Sequence, residues 1–167
     1  MPVSPIVIRK ANYEDVPLIQ HIAFSTWPVA YSAILQKEQL DYMLDLFYQK
    51  DALLQQMTDG HHFIVAEENK TVIGFASFNL IKPLTFKLQK LYVLPSVQNS
   101  GAGKLLLESV IERIKKNGAH KLQLNVNRHN KAIGFYEKMG FTILQEDDIN
   151  IGHNYYMNDY LMEMNLV

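Results

Sequence analysis

The chain has 167 residues, of which 48% are hydrophobic, and its 16 Lys plus Arg against 17 Asp plus Glu leave a formal charge of -1. This size and composition predict one soluble globular domain over residues 1–167, and the balanced charge offers no basic block to displace counterions from nucleic acid. With no Cys, a disulfide framework, a thiolate zinc site and a Cys nucleophile are all excluded.

In chain order, a short strand is predicted over residues 6–9. Cap-forming and acidic residues at 12–15 then precede Val16, Ile19, Ile22, Ala23 and Trp27, whose helical spacing ends where Pro28 removes a backbone donor. Leu40, Met43, Leu44, Phe47, Leu53, Leu54 and Met57 repeat at three and four, predicting two short helices that meet near 49–51 and close at Asp59-Gly60. Next, HHFIVAEE and TVIGFASFNLI flank Glu68-Asn69-Lys70, an antiparallel hairpin by its β-branched content and turn residues. FKLQKLYVL is a third strand that stops before Pro95. A glycine-containing turn leads into a helix with the apolar stripe Gly103, Leu106, Leu107, Val110, Ile111 and Ile114, terminated by Asn117-Gly118. KLQLNVN reads as a strand, HNKAIGFYEKM as a short helix ended by Gly140, and FTILQEDD and NYYMNDYLMEMNL as terminal strands. The order is mixed α/β.

The stretch LYVLPSVQNSGAGKLLLESV sets a strand, a proline stop and two glycines directly ahead of a helix. Glycines allow close approach to the backbone, and the first helical turn offers unpaired amides at a positive dipole end, so the turn suits an anion. Lys104 opposes that dipole unless a negative ligand offsets it. A Walker loop would require Gly at 98 and a hydroxyl at 105, where the chain has Gln98 and Leu105. A dinucleotide fingerprint would require Gly at 106, where it has Leu106, and an acid where the next strand ends Asn125-Val126-Asn127. The pattern present is [QR]-x-x-G-x-[GA], over Gln98, Asn99, Ser100, Gly101, Ala102 and Gly103. It resembles the pyrophosphate loop of the GNAT superfamily of N-acetyltransferases. A plain structural turn is the other reading of these residues.

The resemblance extends further. NRHNKAIGFYEKMGF resembles the family's A-x-x-F-Y-x-x-x-G-F block with an asparagine ahead of it, here from Ala132 through Phe135-Tyr136 to Gly140-Phe141. The order of elements matches the family over nearly the full length. The resemblance implies a central mixed, mostly antiparallel sheet of six to seven strands, helices on both faces, and a splay between the fourth and fifth strands. It also implies acetyl-CoA as cofactor, with the main chain of Leu91, Tyr92 and Val93 along the pantetheine arm. The amides of Asn99 to Lys104 would hold the pyrophosphate, with Gln98 opening the loop. Asn125 or Asn127 and Asn130 would contact the arm, although each equally caps a turn or helix. Tyr136, protonated at neutral pH with a pKa of ~10, would protonate the departing thiolate; packing with Phe135 and Met139 is its other reading.

An ammonium acceptor must lose a proton before attack. His61, His62, Glu67 and Glu68 are near the hairpin, but the residue pattern assigns none of them as base. The six His show no ligand spacing, so no metal is expected. The C-terminal run from Ile151 to Met162 resembles the polyamine N-acetyltransferase branch, with His153-Asn154 in place of the usual Asn-Gly. Trp27, Tyr31, Tyr155 and Asp159 are the acceptor-site candidates, supported by Asp147, Asp148 and Tyr156. The alternatives are solvated acids and core aromatics, Nα-acetylation of a peptide, or a CoA-binding module without turnover. MPVSPIVIRK has no signal-peptide core and no apolar run approaches ~18 residues, so a cytoplasmic location without membrane contact is expected. A homodimer is a family-level expectation.

Overall fold

The computed structural model describes residues 5–167, in which seven strands form one sheet. They are β1 (Ile6–Lys10), β2 (His62–Glu68), β3 (Thr71–Lys82), β4 (Thr85–Val93), β5 (Lys121–Asn127), β6 (Thr142–Gly152) and β7 (Tyr155–Asn165), in spatial order β1-β2-β3-β4-β5-β7-β6. Every neighbouring pair is antiparallel except β4 and β5. The β2–β3 hairpin turns through Asn69 and Lys70 at φ 52° and 63°, the two positive φ values that a tight hairpin turn requires. His153 and Asn154 do the same between β6 and β7, at φ 53° and 62°. There the rings of Tyr42 and His153 pack edge to face with centroids 4.8 Å apart.

The helices are α1 (Val16–Tyr31), α2 (Lys37–Tyr48), α3 (Lys50–Thr58), α4 (Ala102–Lys116) and α5 (Ile133–Lys138). Asn12 opens the helical region by accepting from the Glu14 amide, while Asp15 accepts from the Asn12 amide and pairs with Arg9 at 2.8 Å. Two expectations are corrected. Pro28 lies inside α1, because a proline deletes one bond while Trp27 and Tyr31 continue the buried stripe and the Ser32 amide still bonds Pro28 O at 3.1 Å. β6 continues past Asp148 to Gly152, because β7 goes on pairing with it to Tyr155 while Ile149 and Ile151 alternate inward.

Two cores flank the sheet. Leu106, Leu107, Val110 and Ile114 of α4 pack with Phe86, Leu88, Leu122 and Leu124 on one face. Ile19, Ile22 and Trp27 of α1 pack with Leu44, Tyr48, Leu53, Val65 and Phe75 on the other.

The β4–β5 pair positions the site. Thr85 to Leu88 pair with Lys121 to Leu124, and the pairing stops there. On its other edge β4 stays paired with β3, but Ser77 faces Lys90 while Phe78 faces Leu88. Gln89 is therefore an extra residue, a bulge that bends the strand and switches which side chains face which side. Before it, Phe86 and Leu88 face α4; after it, Leu91 and Val93 do, and Tyr92 joins the α1 core. The expected splay between the fourth and fifth strands is this opening.

Candidate active site

The gap is lined by main chain. The Leu94 amide donates to Ile73 O at 2.8 Å, so by alternation the Tyr92 main chain also faces β3, while Leu91 and Val93 present their N–H and C=O groups to the gap. This divides the expected trio: Leu91 and Val93 have backbone to offer a ligand, whereas Tyr92 contributes its side chain. Gln98 Nε2 donates to Val93 O at 3.4 Å across the mouth of the gap.

Below that mouth the chain turns into α4. Asn99 and Gly101 both take positive φ, 70° and 88°, which coils the loop back on itself. Ser100 Oγ accepts from the Ala102 amide at 3.3 Å. The first α4 turn leaves the Gly103 and Lys104 amides without helical carbonyls. A Cβ on Gly103 would lie 3.9 Å from Val93 Cγ2 and 4.0 Å from Phe135 Cζ, within the groove that a ligand must share. Lys104 is exposed, 3.8 Å from Glu108, and free to reach outward. The Ser100 amide is spent on Val97 O at 3.3 Å and the Ala102 amide on Ser100 Oγ, so the Gly103 and Lys104 amides are the donors this turn leaves open at the end of the gap, an arrangement suited to an anion.

Tyr136 stands at the opposite wall. It is 9% exposed, and its ring packs edge-on with Phe135 at 5.3 Å and Phe141 at 5.7 Å. The packing reading and the chemical one hold together, because the rings fix the orientation of the hydroxyl. Burial, with the Tyr31 hydroxyl adding to it, pushes that hydroxyl well above the ordinary tyrosine range, so it stays protonated at any physiological pH. Asn130 caps the turn into α5 through the Ala132 amide at 2.8 Å, and its Nδ2 donates to Tyr31 Oη at 3.4 Å. Asn127 Oδ1 accepts from the His129 amide at 2.9 Å. Both asparagines are thus turn-formers at the gap's rim, and Asn130 also ties that rim to α1.

The acceptor-site candidates separate. Tyr31 and Tyr92 join hydroxyls at 3.1 Å, and burial raises both above the ordinary range. Trp27 is enclosed behind them, in contact with the rings of Tyr31, Tyr48 and Tyr92, so it is their support. Tyr155 packs on Tyr42 at 5.4 Å near the β6–β7 turn, and Tyr42 Oη donates to Ile151 O at 2.6 Å. Tyr156 is exposed, and its carbonyl accepts from Gln39 at 2.8 Å. Asp159 is buried beside the gap, whereas Asp148 is a surface partner of Arg128. Sequence reasoning missed two contributors, Lys87 on β4 and Tyr42 on α2; neither belongs to a motif, and only the tertiary fold brings them near. Of the possible bases, Glu67 is paired with Arg9 at 2.8 Å, and all four lie in or next to β2, with β3 and β4 between them and the gap.

A parallel strand pair held open, a cradle of amides at its end and a buried tyrosine hydroxyl on its wall define a CoA-dependent acyltransferase. The acetyltransferase (GNAT) family model matches residues 18–141, and the chain belongs to that family: it is an acetyl-CoA-dependent N-acetyltransferase. It is 28% identical over 164 residues to a spermidine N(1)-acetyltransferase of Thermoplasma acidophilum, covering 95% of this chain and 96% of that one. A [ribosomal protein bS18]-alanine N-acetyltransferase of Haemophilus influenzae is 37% identical over 89 residues, 53% of this chain and 57% of that one. Among solved structures, the PaiA N-acetyltransferase of Thermoplasma acidophilum in complex with coenzyme A superposes with a TM-score of 0.82 at 27% identity, covering 96% of this chain and 99% of that one. Among the described residues no helix is long and apolar enough to cross a membrane.

Proposed function

We propose that this enzyme acetylates a primary amine of a small polycation, a polyamine of the spermidine class. The observation that carries the reading is the α1 side of the gap, where Tyr31, its hydroxyl joined to that of Tyr92, feels the charge of Asp159, and Asp159 faces Asp147 across β6 and β7. Several ammonium groups on one acceptor need carboxylates and aromatic faces, and the likeness to the spermidine acetyltransferase spans nearly the whole of both chains.

Bound acetyl-CoA supplies an acetyl thioester. The chain's own residues do the rest. Leu91 and Val93 align the arm by backbone pairing, and the open amides of the 99–104 loop, those of Gly103 and Lys104 among them, anchor the pyrophosphate. Tyr136 gives its hydroxyl proton to the sulfur as the thiolate leaves. Asn130 and Tyr92 hold the Tyr31 hydroxyl, which with the Tyr136 hydroxyl lines the gap.

Thiol release from acetyl-CoA over spermidine, spermine, aminoglycosides, amino acids and peptide N-termini tests the assignment. Spermidine and spermine are expected to lead, with KM rising between low and physiological salt because ions screen the acceptor's attraction to the carboxylates. A clear preference for an Nα-terminal peptide would move the enzyme to protein modification, the activity named for the bS18-alanine relative, and leave the acetyl-CoA chemistry standing.

A further inference from the structure

Asp159 has so far been used only as charge. It sits in β7 opposite Asn127 of β5 and Asp147 of β6, and opposed residues share a face of the sheet. That face is the α1 side, because β5 sends Leu122, Leu124 and Val126 into the α4 core. The residue is 3% exposed, and its Oδ2 is buried without a hydrogen-bond partner among the described residues. A purely structural carboxylate spends both oxygens, because a buried unpaired acceptor is costly. The strand next to it is the part of β5 that β4 has released, so the unpaired oxygen belongs to the site and not to the closed core.

Five groups face it. They are Lys87 of β4, Asn125 of β5, Arg128 just after β5, Asp147 of β6 and Tyr31 of α1, whose hydroxyl the Asp159 charge pushes further up. Burial, as the largest influence, raises the Asp159 carboxyl to about 6, while Lys87, Asn125 and Arg128 pull it down and Asp147 adds to the rise. A carboxyl in that range is ionised at neutral pH and basic enough to hold a proton for a moment.

We infer that Asp159 takes the proton which the acceptor's ammonium must shed before its nitrogen attacks, working from the α1 side of the gap while Tyr136 serves the sulfur from the other wall. The inference rests on the amine-acetylating function proposed above. An N–H bond of the ammonium breaks and an O–H bond forms on Asp159. The nitrogen then forms the C–N bond as the C–S bond breaks, and it loses a second proton that balances the one Tyr136 gives to sulfur. Asp159 returns its proton to solvent, so ammonium and thioester become amide, thiol and one released proton.

The test compares wild type with Asp159→Asn in kcat/KM for spermidine from pH 5 to 9, alongside CoA affinity by calorimetry. A carboxyl ¹³C titration of wild type, with Asp159 assigned through its own bonds, is run without acetyl-CoA. Wild-type kcat/KM is expected to rise through a midpoint near 6 and level off. The variant should fall by about 10²-fold or more at pH 7 and climb about tenfold per pH unit, because only acceptor already deprotonated in solution reacts. CoA affinity should be unchanged. The Asp159 carboxyl should titrate near 6 and shift when spermidine is added. With its pKa raised above the unfolded value of ~3.9, folding stability falls as pH rises between the two, so the variant should melt higher than wild type above pH 6 and lose that advantage at ~4. A variant with the wild-type pH profile and rate overturns the inference while the function stands, as does a carboxyl that titrates near 4 and ignores spermidine. No turnover by wild type with any amine overturns both.

Discussion

The two ends of the β4–β5 pair do opposite jobs with the same backbone. At the closed end, Phe86, Leu88, Leu122 and Leu124 are buried within one core and the strands are in register. At the open end, one bulged residue, Gln89, bends β4 away, and β5 runs on through Asn125, Val126 and Asn127 paired with β7 alone. The closed end is ordinary sheet physics, with paired main chain and apolar burial. The open end withholds pairing from Leu91 and Val93 so that a ligand can take it. Stability and binding therefore occupy adjacent stretches of two strands, and substitutions should separate them.

The largest expected effect is at the cradle. Gly103→Glu places a carboxylate in the proposed pyrophosphate cradle, and like charges in contact cost several kcal/mol of affinity; calorimetry should detect no CoA binding while circular dichroism reports a folded protein. Tyr136→Phe comes next, with kcat lowered by roughly 10² to 10⁴ and acetyl-CoA affinity little changed, because the ring keeps its packing and only the donor is lost. Wild-type turnover by this variant would transfer the donor role to another group. At the closed end, Leu124→Ala should cost roughly 2–5 kcal/mol of stability in denaturant unfolding yet leave the CoA affinity of the folded protein intact. A large loss of affinity there would show that the two ends are not independent. The smallest effect belongs to the β6–β7 turn, where Asn154→Gly relieves a left-handed backbone and should raise stability by up to about 1 kcal/mol, with no change in either binding or rate.

Alternation, turn chemistry and the glycine loop made most of this architecture legible in the sequence. The β2–β3 turn, the loop from Gln98 to Lys104 and the position of Tyr136 follow from residues close together in the chain. Features set by distant partners did not. Pro28 reads as a stop because the tertiary burial of Tyr31 is invisible locally, and the acids Asp147-Asp148 read as a strand end because the β7 partners that carry β6 on to Gly152 lie elsewhere in the chain. FKLQKLYVL gives no sign of the Gln89 bulge, since the residue is extra only relative to β3. The same limit governs the site: the motif indicated the trio Leu91, Tyr92 and Val93, but the partner of Leu94 decides which of them faces the gap. Asp159 was an acid near the C-terminus until β5, β6 and β4 surrounded it.

A sheet ordinarily hides its unsatisfied margins at its rims, where proteins blunt them with charge, proline or short strands. This one carries such margins in its middle, along Leu91 and Val93 on one side and the end of β5 on the other. Whatever fills the space acts as a missing strand for the whole molecule, so a bound cofactor adds to resistance to unfolding, by RT ln(1 + [L]/Kd). Cellular acetyl-CoA and CoA levels would thereby set how much of this enzyme stays intact, as well as how fast it works.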